Sequence, residues 1–367
     1  MPARIKAKAP VDEKLLLTYL LVLAGGIVMI YSASSILAAS RFGSHWYFFR
    51  QQLIWGALSL ASIYVISRLD LKRLAPYSAP ALLFTLLLLS LVFVMPARNG
   101  SHRWLFLGPL TLQPSEVFKF LMIVYLSFSL SNPTRNLEDW KQVAFPYVPI
   151  IGTALLLIVM EPDLGTVIVL SGTALGMFFL AGLKLRHLFY ASAPLVTAGS
   201  FMVFVLGYKK ARIMDYLGSV VDPLQGSYQV KQAVLTLGAG GWLGTGLGDG
   251  RQKLFFLPYP HTDFIFATIG EEVGLIGLLV LLGALFFMLY RGVKIAVDQP
   301  DRFGFLLAAG MTWSLFINMA INIGVVTAIL PVTGLALPFL SYGGSSLLIS
   351  SACIGVLINL SRRVVRS

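Results

Sequence analysis

LLLTYLLVLAGGIVMIYSASSIL, residues 15–37, decides the fold class. Written as an α-helix it reaches about 35 Å, and a hydrocarbon core is about 30 Å thick, so this run can cross a membrane. It is too long for the core of a signal peptide. Arg4, Lys6, Lys8 and Lys14 precede it like a basic leader, yet no small-residue cleavage site follows at the usual distance. The run is therefore expected to be an uncleaved first span, with residues 1–14 as a basic tail.

Further apolar runs lie at 49–67, 77–95, 115–130, 144–160, 163–182, 188–207, 264–290, 304–326 and 342–360, each bounded by charges, Pro or Gly. The expected fold is all-α and polytopic, ten transmembrane helices in a single domain over 1–367. Composition agrees. Of 367 residues 57% are hydrophobic and 12% charged, with mean hydropathy +0.81, which excludes a water-soluble globule. The same apolar fraction excludes disorder, and a single cysteine, Cys353, excludes a disulfide scaffold. The net charge of +12 is scattered over the segments between runs, which argues for membrane orientation and against nucleic acid.

Counting from a cytoplasmic start, the inner segments hold the four N-terminal cations with Arg68, Lys72, Arg73, Arg135, Lys141, Lys184, Arg186, Arg291, Lys294, Arg302, Arg362, Arg363 and Arg366. The short outer loops hold only Arg41, Arg50, Arg98 and Arg103. Short cytoplasmic loops gather Lys and Arg, so both termini, with the tail 361–367, are expected inside. One connection stands apart, 208–262 on the outer side between the seventh and eighth spans, carrying Lys209, Lys210, Arg212, Lys231, Arg251 and Lys253. Its stretch 235–250 is dense in glycine, permissive of tight turns and apolar enough to lie on or re-enter the membrane.

Charge in or at the rim of a bilayer is costly, so each such residue needs a partner, water or a task. Glu116 and Lys119, in Gln113-Pro114-Ser115-Glu116, sit at i,i+3 and can pair on one helix face or face substrate. In Glu161-Pro162-Asp163-Leu164-Gly165-Thr166, Asp163 suits an N-cap, and Glu161 is either hydrated or chemical. Asp263 stands at the outer end of the eighth span in His261-Thr262-Asp263-Phe264, where a carboxylate can take a proton from a sugar hydroxyl or simply cap the helix. Glu271 and Glu272 lie two turns deeper and about 100° apart, so they are not expected to share one neighbour; protonation, pairing with Lys119 and cation capture stay open. No His or Cys pattern supports zinc, which leaves a hard cation such as Mg or Mn held by carboxylate and phosphate. Phosphate-loop, serine-elbow and His-Glu-x-x-His signatures are missing. Residues 331–346, dense in Gly, Pro and hydroxyls that include Ser341, Tyr342 and Ser345, can present N–H groups to an anion or make a re-entrant turn.

Taken together, Tyr31-Ser32-Ala33-Ser34, Gly100-Ser101-His102-Arg103-Trp104, Gln113 to Glu116 with Lys119, Glu161 to Thr166, His261 to Phe266 with Glu271-Glu272, and Pro338 to Ser346 run through nearly the whole chain. In order and spacing the sequence resembles the SEDS family (shape, elongation, division and sporulation). Arg251 to Pro258, with Tyr228-Gln229, is closer to its FtsW and SpoVE branch than to RodA. The resemblance implies a peptidoglycan glycosyltransferase that polymerises lipid II on the outer face of the bacterial cytoplasmic membrane. It implies Asp263 as the catalytic aspartate and a class B penicillin-binding transpeptidase as partner, within divisome or elongasome assemblies. Tyr259 stands where relatives often carry glutamate.

The chemistry these residues permit is a single inverting displacement. Asp263 accepts the proton of an acceptor sugar 4-hydroxyl, which attacks the anomeric carbon of the growing strand while undecaprenyl diphosphate departs. Arg103, Lys119, Arg212, Lys231, Arg251 and Lys253 are the cations available for the diphosphate, Arg103 and Lys119 foremost, with Glu116, His261, Thr262, Ser341, Tyr342 and Ser345 as further substrate contacts. A lipid II flippase and a transpeptidase-recruiting scaffold are the alternatives from other functional classes.

Overall fold

The computed structural model describes residues 11–96, 101–108, 110–133, 135, 140–205, 207, 210–221, 226–253 and 256–362. Arg4, Lys6, Lys8, Arg98, Gly100, Lys209, Leu254, Phe255, Arg363 and Arg366 lie outside the described residues, as does the side chain of Lys141.

Helix covers the body of every apolar run. In chain order the elements are α1 (Glu13–Phe42), α2 (Tyr47–Ile66), α3 (Leu71–Leu74), α4 (Ser78–Leu91), β1 (Leu105–Leu107), β2 (Leu110–Leu112), α5 (Pro114–Leu130), α6 (Trp140–Met160), α7 (Leu164–Leu180), α8 (Leu185–Ser200), α9 (Lys210–Val221), α10 (Tyr228–Ala239), α11 (Ile265–Val297), α12 (Arg302–Val326) and α13 (Gly344–Ser361). Asp12, Asp163, Ser227 and Asp301 start α1, α7, α10 and α12 by accepting a backbone N–H three residues on, which satisfies a donor that a helix start leaves open. β1 and β2 form a small antiparallel hairpin in the register Leu105↔Leu112, with Gly108 left-handed at its turn.

Side-chain bonds sort the helix ends onto two faces. At one face Arg291 of α11 pairs with the Asp12 carboxylate, and the Asp12 N–H donates to Ser361 Oγ at 3.2 Å. There too Lys72 meets Asp301 at 2.6 Å, Asn359 donates to the carbonyls of Ile66 and Leu69, and Arg302 donates to Ala181 O. Both ends of the described chain therefore share this face. The opposite face gathers the hairpin, the 161–163 turn, the segment before α11 and the 331–343 connection.

Among the described residues, five helical stretches are long and apolar enough to cross a membrane: α1, residues 71–94 through α3 and α4, α11, α12 and α13. Shorter apolar helices lie at 145–160 and in α7. Leu21, Val28, Leu279, Val280 and Phe286 stay exposed along these helices, as lipid-facing side chains would. The chain is a multi-pass helical membrane protein.

α13 is the centre of the bundle, buried along nearly its whole length and packed on α2, α12, α5 and α11. Small residues let α2 come close: a Cβ at Gly355 would lie 3.1 Å from Ile63 Cα, and one at Gly344 would lie 2.0 Å from Trp55 Cε2. Gly344→Ala is therefore expected to cost about 1–3 kcal/mol by overpacking. Gly283→Ala, which has nothing within 4 Å, should stay within about 0.5 kcal/mol. Thermal unfolding of the detergent-solubilised variants measures the contrast.

Two features depart from expectation. The connection 208–262, expected as one loop, contains α9 and α10, each 12 residues and so too short to register in a pattern read at span length. The eighth span is broken at Gly274, whose φ of 69° and ψ of −174° no helix contains. In an unbroken helix Leu275 N–H would donate to Glu271 O and Ile276 N–H to Glu272 O. Here the glycine-rich stretch takes both halves of both bonds. Leu275 N donates to Gly241 O (2.9 Å) and Ile276 N to Trp242 O (3.2 Å), while Thr245 N donates to Glu271 O (2.9 Å) and Gly246 N to Glu272 O (3.1 Å). Only glycine permits this approach at Gly244, where a Cβ would lie 2.2 Å from Glu272 O.

Candidate active site

The site grows from two helix starts that face each other. At the start of α7, Asp163 accepts from Thr166 N (3.1 Å) and Thr166 Oγ1 (2.9 Å) and meets Arg103 Nη1 at 3.4 Å. Arg103 also donates to Glu161 O at 3.2 Å and to Pro162 O, so one guanidinium ties the hairpin segment to the turn. Thr333 and Leu335 press on Gly165, where a Cβ would lie 2.9 Å from Thr333 O. From α12, Asn322 Nδ2 donates to Leu335 O (2.7 Å) and to Asp263 O (2.9 Å). The 331–343 connection is thereby held between α7 and the head of α11.

Asp263 lies at that junction. Its Oδ2 would be 3.5 Å from a Cβ on Gly334, so its carboxylate rests over a left-handed glycine. It does not cap α11: the N-cap is Phe264, without a side-chain bond. Burial raises the Asp263 carboxyl to about 6, opposed by the Thr262 hydroxyl and the charges of Arg103 and Arg212 and reinforced by Asp163. His261 is buried against Phe48 and Tyr342, with ring centroids at 4.5 and 5.7 Å. Burial and the Arg41 charge lower it to about 4, so it is neutral at physiological pH. Glu161, fully buried with Oε1 unpartnered among the described residues, is pushed up to about 8 by burial and Asp163, against Arg103.

The hydroxyls expected to meet substrate brace this backbone. Ser341 Oγ donates to Thr262 O (2.7 Å) and accepts from Leu337 N (2.8 Å), and Tyr342 N donates to His261 O (2.8 Å). Ser345 Oγ donates to Thr111 O (2.8 Å) and accepts from Gln113 N (3.0 Å), fixing β2 on α13. Thr262 Oγ1 donates to Tyr259 O at 3.3 Å. Tyr259 and Phe339 hold left-handed backbone on either side of the site, a strain that persists only where surrounding structure imposes it.

The expected cations divide. Arg103 and Arg212 act on the Asp263 carboxyl, Arg212 from an exposed position on α9. Lys119 is buried in α5, with Nζ 2.8 Å from Glu116 Oε2, so that pair closes on itself inside the bundle. Lys253 is buried on Glu272 at 2.6 Å. Lys231, on α10, and Arg251 are exposed. Of the options for Glu271 and Glu272, pairing with Lys119 is not used. Contrary to expectation, both also reach one neighbour, the 248–253 segment, because that segment wraps across the two faces they point to.

The cell cycle protein family of FtsW, RodA and SpoVE matches residues 13–365. The chain belongs to this family. The probable peptidoglycan glycosyltransferase FtsW of Geobacter metallireducens is 39% identical over 342 residues, 92% of this chain and 91% of that one. Stage V sporulation protein E of Bacillus subtilis is 38% identical over 360 residues, 97% and 98% of the two chains. Among solved structures, a chain of a peptidoglycan synthase complex that coordinates polymerization and crosslinking superposes with a TM-score of 0.79 at 28% identity, covering 96% of this chain and 98% of its own. Rod shape determining protein RodA of Thermus thermophilus gives 0.70 at 26%, covering all of both. Within the FtsW/RodA/SpoVE family this chain is thus more similar in sequence to the FtsW and SpoVE relatives than to that RodA.

Motif reading of this family member overlooked Asn322 and met Gly334 only as one glycine of the 331–346 stretch, without its contact to Asp263. Asn322 carried a usable signal, since an amide inside an apolar span needs partners. Gly334 carried none, because its importance is a contact across 71 positions of chain.

Proposed function

We propose that this FtsW/RodA/SpoVE-family membrane protein is a peptidoglycan glycosyltransferase that polymerises lipid II at the outer face of the bacterial cytoplasmic membrane, in division or shape-determining wall synthesis. The observation that carries the reading is Asp263, half-buried at a helix head with Arg103 and Arg212 acting on its carboxyl. Ten spans with both termini cytoplasmic complete the reading. The ends of the described chain share the face bearing Lys72, Arg291, Arg302 and Arg362, and Asp263 lies at the other.

Asp263 accepts the proton of the acceptor 4-hydroxyl as that oxygen forms its bond to the anomeric carbon of the growing strand. The bond from that carbon to the diphosphate oxygen breaks with its electron pair, and the anomeric centre inverts. Of the exposed cations Arg212, Lys231 and Arg251, Arg212 is the one whose charge also acts on Asp263, and it meets the diphosphate; Arg103 holds the 161–163 turn and adds its charge. Among the described residues no three His, Cys, Asp or Glu side chains gather as a metal cage, and Asp163 is occupied by Thr166 and Arg103. A divalent cation (Mg or Mn) would come only as the counter-ion of the substrate's diphosphate.

The test is elongation of fluorescent lipid II by the purified chain, alone and with a class B penicillin-binding transpeptidase, the partner this reading implies. Glycan strands support it. Vesicles that move labelled lipid II across the bilayer without making polymer would establish the flippase instead. The rate should also fall on the acid side with a midpoint near pH 6. The raised Asp263 carboxyl takes up a proton through that range, and a protonated acid cannot accept another. A profile flat from pH 7 to 5 contradicts Asp263 as the base.

A further inference from the structure

The segment that carries Asp263 is a closed ring. Lys253 Nζ donates to Glu272 Oε1 at 2.6 Å, and the described residues between them, 256–271, include the buried Leu257, Asp263 and the first turns of α11. Asp263 lies midway along the stretch that this clasp closes, ten residues from one partner and nine from the other. A second tie crosses the ring where Thr268 Oγ1 donates to Pro260 O at 3.2 Å. The clasp is buried and fully bonded. Lys253 Nζ also donates to Ser32 Oγ of α1 (2.9 Å) and Gly248 O (2.8 Å), Ser32 Oγ donates to Glu272 Oε1 and Oε2 (2.6 and 2.8 Å), and Gly248 N donates to Glu272 Oε2 (3.0 Å). Glu271 Oε1 holds the approach to Lys253 by accepting from Arg251 N (2.7 Å) and Gln252 N (3.1 Å).

Helix continuity does not supply this rigidity. The break at Gly274 separates the 265–273 piece from the rest of α11, so that piece is held by ties to its neighbours: Asn322 and Ser341 at its head, and the glycine-rich stretch and the clasp at its deep end. We propose that Lys253, Glu272 and Ser32 are positioning residues that set where Asp263 stands against the acceptor sugar, coupling the transferase site to α1. The proposal rests on the reading of Asp263 as the base. A buried ion pair is weak evidence for stability, since an apolar pair of similar volume can replace it with little loss, whereas removing one partner strands a buried charge. A displacement of about 1 Å far from the chemistry can cost about a hundredfold in rate.

The experiment is a cycle of Lys253→Met, Glu272→Met and the double variant, with unfolding temperature, kcat and KM for fluorescent lipid II measured on each. The double variant is expected to regain the wild-type unfolding temperature while kcat stays about a hundredfold down and KM within about threefold. Wild-type kcat in a double variant of wild-type stability overturns the proposal. If the double variant does not regain that stability, Ser32→Ala decides. It removes one hydroxyl and no charge, and is expected to lower kcat about tenfold and speed hydrogen exchange of the 256–262 amides; unchanged rate and exchange overturn the proposal. Exchange reads the clasp without reference to activity. Should Asp263→Asn polymerise at the wild-type rate, the base assignment fails on its own, and the exchange measurement still reports whether the clasp orders the segment.

Discussion

Asp263→Asn is expected to lower lipid II polymerisation by about 10²- to 10⁴-fold, the usual contribution of a positioned base, and to leave the unfolding temperature nearly unchanged. The second half of that expectation comes from how the residue is held. The bond tying this position to α12 runs from Asn322 to the Asp263 backbone carbonyl, which the substitution keeps. No cap is lost, because α11 starts without one, and the side chain keeps its shape over Gly334. The measurement is strand elongation with and without the transpeptidase, alongside thermal unfolding. Full elongation by the variant would remove the carboxylate from the chemistry.

Lys119→Met is the second large effect, and it is expected to act on stability. The Lys119 and Glu116 side chains are 5% and 8% exposed, and the substitution leaves the Glu116 carboxylate buried without its cation. Breaking such a pair from one side costs about 3–5 kcal/mol. The double variant Glu116→Met with Lys119→Met removes both charges and is expected to recover most of that loss, since no charge is then left stranded. Unfolding temperatures of the single and double variants decide between a strut and a substrate contact. A double variant that is stable but has a KM for lipid II raised tenfold or more would make the pair a substrate contact after all.

The helices were legible because a span is a long apolar run, and helix covers the body of each such run among the described residues, from 15–37 to 342–360, with the one at 264–290 broken at Gly274. The Asp163 cap was legible for a related reason, being local: Asp-Leu-Gly-Thr contains both the acceptor and its donor. What escaped were relations between distant segments. The ties of Asn322 to Asp263 and of Ser341 to Thr262 join stretches whose residue types suit many roles. Glu271 and Glu272 were visible as costly charges, but Lys253 could be named as the partner of Glu272, and the Arg251 and Gln252 amides as those of Glu271, only once the break at Gly274 brought 248–253 across them. α9 and α10 escaped through length alone.

The helix at the heart of the bundle follows the other described helices in chain order. Before Gly344–Ser361 leaves the ribosome, Trp55 and Ile63 of α2 lack the close approach of Gly344 and Gly355, and Ser345 is not there to anchor the β2 hairpin. Earlier helices must therefore enter the bilayer as a loose assembly that locks only when its keystone arrives, so a nascent chain halted just short of Gly344 should be an open substrate for membrane proteases.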